Sequence, residues 1–357
     1  MDTVRLALAG SGSIARTHAD ALRQVPGARF EIVYSRSLAN AELFAQWKGV
    51  PAATDDLERL VASDVDAVLV CLPNCLHAEV GIAALRAGKH AIVEKPLAMS
   101  LEEADALAEA EAAGGKRVFY AEELPFVPKF VRVKELIDEG ALGRVYMVRQ
   151  VEKHAGPHSP WFFRRQDAGG GALMDMGCHG IELIRWVLGG ATPADVFARI
   201  DRFVHADCDL DDHAIVDMRF PDGTLGISES SWTLQGGMDS VLEVYGTKGT
   251  AVADLCKGTG LRVFSGEGYG MMPDEAKGWT TPIFDHDRQH GYVAQLAHIV
   301  DCIRSGGSPF EGSSQGRTVL SILLAAYESA RTGRAVAMPF EPRGVAAPID
   351  LWKLKYE

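Results

Sequence analysis

VRLALAGSGSIARTHADAL, residues 4–22, changes its periodicity at a pair of glycines. Before Gly10 the run is almost continuously apolar, the pattern of a parallel strand buried on both faces. After Gly12 the small and apolar residues recur at helical spacing. Gly10, Gly12 and Ala15 form a G-x-G-x-x-A turn. The first glycine permits a tight bend, the second lets backbone approach a pyrophosphate, and Ala15 allows close helix packing. Ser13 and Ile14 open the helix, whose N-terminal amides would take up phosphate oxygens. The plainer alternative is a glycine-rich strand-to-helix turn that holds no ligand.

The same alternation continues outward from that turn. FEIVYS (30–35), AVLVCLP (67–73), HAIVEKP (90–96) and RVFYA (117–121) read as further buried strands. Helical stretches begin near Ile14, Ala39, Leu57, His77 and Leu101. The expected fold is α/β, with a five-strand doubly wound Rossmann unit over residues 1–122 that binds a dinucleotide. Beyond it the texture becomes antiparallel in RVYMVRQVEKH (144–154), AIVDMRFPDGTLGISESSW (214–232) and VLEVYGTKGTAVAD (241–254). Turn signals at Pro221–Gly223 and Lys248–Gly249 join these strands. Helices are expected near 129–139, 171–188, 291–305 and 314–332. Residues 123–357 therefore read as an α+β domain with an open, mainly antiparallel sheet, serving substrate binding and oligomerisation. An uncovered sheet face needs a partner, which predicts a homo-oligomer, a dimer or tetramer built through that sheet.

Composition narrows the function classes. The 357 residues carry 48 acidic and 36 basic side chains, a formal net charge of −12. That balance disfavours nucleic acid and anionic membrane surfaces as partners. No apolar run approaches the roughly 20 residues needed to span a bilayer. The strand-like run that begins near residue 3 leaves no room for a targeting segment. Six cysteines scattered through apolar segments fit reduced thiols better than a disulfide framework. A cytoplasmic location is expected.

An acid at the end of the second strand would hold the ribose 2′-hydroxyl of NAD. The chain offers Ser35, Arg36 and Ser37 there. A guanidinium flanked by hydroxyls suits a 2′-phosphate, which favours NADP over NAD. The competing reading leaves Arg36 stacked on the adenine or in solvent.

CLPNCLHAEV (71–80), AIVEKPLAMS (91–100) and GGGALMDMGCHGIEL (169–183) follow the glycine turn in that order. Together they resemble the Gfo/Idh/MocA family of glucose-fructose oxidoreductases and inositol dehydrogenases, over essentially the whole chain. The resemblance implies a Rossmann domain, a second domain with an open antiparallel sheet, and hydride transfer between a nicotinamide and a secondary hydroxyl or carbonyl of a sugar, sugar derivative or cyclitol. It also assigns positions. Lys95 matches the catalytic lysine, His179 the histidine that exchanges a proton with the reacting hydroxyl, and Asp175 the acid one turn earlier. Glu94 precedes the lysine in the same motif and lies at the cofactor. Leu72, Pro73 and Asn74 match the loop against the nicotinamide, and His77 the start of the next helix. Lys95–Pro96 resembles a junction that is cis in relatives.

The residues themselves support this chemistry. Asp175 and His179 are four apart and share one helical face. A neutral imidazole can take an alcohol proton as the carbon gives up hydride. A lysine at the cofactor crevice would stabilise the developing alkoxide or accept the proton itself, and the order of the two stays open. Asp175, Cys178 and His179 could instead bind zinc with His154, His158, His205, Cys208 or His213, but the spacings match no compact zinc pattern and no metal is expected. Cys178 alone reads as a small buried hydrophobe.

VEKHAGPHSPWFFRRQDAGGG (151–171) reads as a specificity loop. Lys153, His154, His158, Trp161 and Arg164 are candidates to surround a small polyhydroxylated substrate, with Tyr292 and His290 closing the pocket. Asp207, Asp209, Asp211 and Asp212 read as a solvated strand edge or subunit contact. Two other functions fit the same scaffold: a non-catalytic dinucleotide-binding sensor or co-regulator, and a dihydrodiol- or imine-type reductase.

Overall fold

The computed structural model describes residues 3–257, 260–269, 277–280 and 290–353. The chain falls into two compact units, 1–123 with 292–320, and 124–291 with 321–357. The division differs from a single cut at 122 in one respect: Tyr292–Leu320 belongs to the first unit. An amphipathic helix can bury its apolar stripe against either neighbour, and its periodicity does not say which.

In the first unit β1 (Val4–Ala9), α1 (Ser13–Leu22), β2 (Ala28–Tyr34), α2 (Leu38–Lys48), β3 (Ala52–Thr54), α3 (Leu57–Ala62), β4 (Ala67–Val70), α4 (His77–Arg86), β5 (His90–Glu94), α5 (Leu101–Gly114) and β6 (Val118–Ala121) alternate. The strands form one parallel sheet in the order β3-β2-β1-β4-β5-β6. This is the doubly wound order with its switch point between β1 and β4, where ligands bind at the C-terminal strand ends. The sheet has six strands rather than the expected five. The addition is β3, whose three residues are too few to show a pattern.

Leu6, Leu8, Leu69 and Ile92 are fully buried between the helix layers. Each such side chain contributes about 1.5–3 kcal/mol of burial.

The second unit holds α6 (Pro128–Asp138), β7 (Val145–Ala155), α7 (Arg165–Ala168), a π-turn (Leu173–Gly177) and α8 (Cys178–Val187). There follow β8 (Asp195–Asp201), β9 (His213–Arg219), β10 (Leu225–Ser231), β11 (Thr233–Gly246), β12 (Gly249–Asp254), β13 (Leu261–Ser265) and β14 (Gly278–Thr280). After α9 (Tyr292–Ser305) and α10 (Ser313–Thr332) come β15 (Val336–Ala337) and α11 (Ile349–Lys353). The sheet order is β14-β13-β12-β11-β7-β10-β9-β8-β15, and every pairing is antiparallel except β7 with β10. One face of β9 and β10, with Ala214, Val216, Met218, Ser228 and Ser230, is buried. The other alternates charged residues with Ile215 and Leu225, about two-fifths exposed.

Candidate active site

The glycine turn of the first unit has the geometry its residues require. Gly10 sits at φ 126°, and a Cβ there would lie 2.2 Å from the Cys71 carbonyl oxygen, so no other residue fits. At Gly12 a Cβ would point into open space, leaving the backbone approachable. Helix α1 starts at this glycine with no side-chain cap and no acid in its first turn. Its free amides and positive end are therefore left for an anion. Ser13 is exposed and Ile14 half-buried at the start of that helix. The Ser11 hydroxyl donates to Ser35 Oγ at 3.1 Å, tying the turn to the end of β2. Arg36 and Ser37, next along, are exposed. These features fit a dinucleotide: a turn that only glycine can make, and open amides for its phosphates.

Lys95 follows β5 at its C-terminal end, half-buried, and its bond to Pro96 is cis. The residues around it are committed to internal bonds. His18, fully buried on α1, meets Glu94 Oε1 at 2.6 Å, and the other Glu94 oxygen accepts the Lys95 amide at 3.1 Å. Burial pushes the Glu94 carboxyl up, but the His18 hydrogen bond and the charges of Lys95 and His77 bring it below its usual value. The resemblance places Glu94 at the cofactor; in the structure its two oxygens bond to His18 and to the Lys95 amide. His77 behaves alike, with Nδ1 2.7 Å from the Pro96 carbonyl and Nε2 2.9 Å from the Leu72 carbonyl. Burial lowers its pKa against the pull of those two acceptors. His77 thus clamps the Leu72–Asn74 loop to the lysine junction. Pro73 is half-buried and Asn74 buried in that loop. Tyr292 also belongs to this unit: it packs on the Rossmann core, edges onto His18 at 5.3 Å, and donates its hydroxyl to Glu123 at 3.2 Å.

In the second unit Asp175 and His179 are buried. Their segment is not a plain α-helix: Leu173–Gly177 is a π-turn that leads into α8. Such turns insert an extra residue and recur at functional sites. Asp175 Oδ2 accepts the Trp232 indole N–H at 2.9 Å. Cys178 is fully buried and its thiol donates to the Asp175 carbonyl, which is the setting of a core side chain. Of the residues weighed as further zinc donors, His154 stacks on His158, His205 edges onto Phe163, Cys208 sulfur accepts the Leu210 amide, and Phe203 edges onto His213.

The expected loop 151–171 is corrected by the structure. Strand β7 runs to Ala155, followed by a 3-10 turn at Pro160–Phe163 and the single turn α7. Lys153 lies on the opposite strand face from buried His154 and pairs with Glu229. It is a cross-strand partner and not a pocket residue. His154 stacks on exposed His158 at 4.4 Å, Trp161 on Phe162 at 3.8 Å, and exposed Arg164 pairs with Asp167. His290 is exposed.

The acidic cluster also departs from expectation. Asp207 and Asp209 are exposed, but Asp211 and Asp212 are fully buried. Asp212 accepts the amides of Phe203, Val204 and His205 at 2.7–2.8 Å. Sequence reasoning missed Asp211 and Trp232 because their partners are distant in the chain, and Asp212 because the amides that bury it, seven to nine residues upstream, belong to a segment with no regular pattern.

Residues 4–122 match the oxidoreductase family with an NAD-binding Rossmann fold, and residues 130–252 match the GFO/IDH/MocA C-terminal domain. The chain belongs to the Gfo/Idh/MocA family. This oxidoreductase is 27% identical to the myo-inositol 2-dehydrogenase of Thermotoga maritima over 94% of its own length and 98% of the relative. Among solved structures it is similar to GenD2 from gentamicin A biosynthesis in complex with NAD, at 33% identity, TM-score 0.84, 95% of this chain and 97% of that one. It is also similar to levoglucosan dehydrogenase in complex with NADH and levoglucosan, at 26% identity, TM-score 0.86, 95% of this chain and all of that one. The Gfo/Idh/MocA chain is thus a dehydrogenase or reductase with an NAD-binding first unit. Among the described residues no helix is long and apolar enough to cross a membrane.

Trp232→Phe tests the hold on Asp175. Trp232 is 1% exposed, and a hydrogen bond to a charged group contributes about 1.5–3 kcal/mol. Urea denaturation should show a loss of about 2 kcal/mol, with turnover reduced about tenfold; unchanged turnover would make Trp232 a packing residue only.

Proposed function

We propose that this protein is a dehydrogenase for a secondary hydroxyl of a sugar, sugar derivative or cyclitol. The carrying observation is that Lys95 follows a strand at the C-terminal edge of the nucleotide-binding sheet, the edge at which open α/β sheets bind ligands. Asp175 and His179 contribute from the π-turn and α8 of the second unit. The oxidised nicotinamide, when bound, supplies the hydride acceptor. Lys95 holds the substrate oxygen by hydrogen bond and stabilises its growing negative charge. His179 takes the hydroxyl proton, so the C–H bond yields hydride as the O–H bond yields a proton and the carbinol becomes a carbonyl. Asp175, held by Trp232, orients the imidazole. The first unit serves the dinucleotide and the second the substrate, with His154, His158, Trp161 and Arg164 as candidate contacts to its hydroxyl groups.

The test is reduction of NAD and NADP followed by fluorescence against monosaccharides, sugar acids, glycosides and inositols. Turnover of at least one polyol is expected, and binding of dinucleotide without turnover on any of them would favour a sensor.

The cofactor choice rests on exposed Arg36, which has hydroxyl-bearing Ser35 and Ser37 beside it and suits a 2′-phosphate. A charge-assisted hydrogen bond contributes about 1.5–3 kcal/mol, roughly 10- to 100-fold in affinity. Arg36→Ala should raise the KM for NADP at least about tenfold and that for NAD by less than about twofold. Equal effects would discard the phosphate contact.

The outward sheet face of the second unit, with Ile215, Leu225, Phe264 and Trp279 at 39%, 38%, 39% and 62% exposure, is the surface through which two copies would pair.

A further inference from the structure

Helix starts leave four backbone N–H groups without partners. At the start of the π-turn three consecutive amides are taken up by one residue from far along the chain. Asp211 Oδ1 accepts the Gly171 amide at 2.9 Å, its main-chain oxygen the Ala172 amide at 2.9 Å, and its Oδ2 the Leu173 amide at 2.7 Å. The Asp175 N–H donates to the Gly171 carbonyl at 3.0 Å, starting from this anchored stretch. Asp211 is fully buried, and the Tyr327 hydroxyl on α10 donates to its Oδ1 at 2.8 Å. Glycines make the approach possible: a Cβ at Gly171 would lie 1.8 Å from the Asp211 carbonyl oxygen, and one at Gly170 would lie 2.3 Å from the Tyr327 hydroxyl.

We infer that Asp211, braced by Tyr327, is a positioning residue for the reaction: its carboxylate and carbonyl set where the π-turn begins, and hence where Asp175 and His179 project. This rests on the catalytic reading of Asp175 and His179. An ordinary cap fixes one or two amides from the adjacent residue. Here the anchor lies on the segment that enters β9, so the turn is referenced to the sheet and not only to its own chain. The negative carboxylate at the helix start also complements the positive end of the dipole. Asp175 N–H bonds to the carbonyl of Gly171, the first of the three anchored residues, so a shift of the anchor is transmitted directly to the first functional side chain.

The test uses the full chain with two variants, Tyr327→Phe and Asp211→Asn, and two readouts. Amide hydrogen exchange by mass spectrometry should rise about tenfold over residues 171–179 in Tyr327→Phe and stay within about twofold elsewhere in the second unit. Oxidation of whichever polyol the wild type accepts should show kcat reduced about tenfold, with the KM for dinucleotide within about twofold. Asp211→Asn should show the same pattern more strongly; if that variant does not fold, Tyr327→Phe carries the test. Exchange that rises uniformly across the unit, or localised exchange with unchanged kcat, would overturn the inference. Localised exchange in a protein that oxidises no polyol would support the anchor and refute the polyol reading instead.

Discussion

Lys95→Ala lowers kcat at least about 10²-fold while dinucleotide binding is retained. The expectation follows from placement. Lys95 extends past the end of β5, half-buried, where its ammonium can reach a ligand at the strand ends. Losing one preorganised donor to a developing oxyanion costs about 10²- to 10³-fold in turnover. The proposed phosphate contacts belong to other residues, Gly10 and Gly12 on the first turn, so fluorescence titration with dinucleotide should change little. Because Lys95 is only half-buried and lies outside the core, the free energy of unfolding in urea should also be preserved, within roughly 0.5 kcal/mol. Near-wild-type kcat in this variant would remove the lysine from the chemistry.

The second large effect concerns the proton. His179→Gln should lower kcat at least about 10²-fold, within the range for general acid–base groups. Glutamine keeps polarity and much of the volume of this buried side chain, so a parallel melting curve separates lost chemistry from lost fold. The acceptor imidazole has to start neutral. Wild-type kcat/KM for oxidation should therefore fall towards acid pH, and the variant should lose that acid limb along with its rate. An unchanged acid limb on a slow variant would assign the limb to another group and demote His179 to a binding role.

The nucleotide half was legible because its signals are local. Buried parallel strands write nearly continuous apolar runs, and the glycine turn is a single contiguous motif. What escaped was set by length or by distance. Strand β3 has three residues, too few for any period. The π-turn is invisible because Asp175 and His179 keep the same four-residue spacing that an α-helix would have. Lys153 and His154, adjacent in sequence, read as parts of one loop, but a strand sends neighbours to opposite faces. Trp232 reaches Asp175 from 57 residues away, and Asp211 reaches the Gly171 amide from 40 residues away. A run of aspartates reads as solvated charge unless the amides that bury it are known. Those amides come from segments with no sequence signature for the purpose. Glu94 and His77 illustrate the reverse: a motif names them, and only coordinates reveal that their polar atoms bond to the protein itself.

The most direct measurement is a crystal structure of the protein soaked with oxidised dinucleotide and the polyol it turns over. The account predicts Lys95 Nζ and a His179 ring nitrogen both within about 3.2 Å of one substrate hydroxyl oxygen, with the carbon bearing it about 3–3.5 Å from the nicotinamide C4. A complex in which either side chain lies beyond hydrogen-bonding reach of that oxygen, or in which C4 faces away from the carbon, would contradict it.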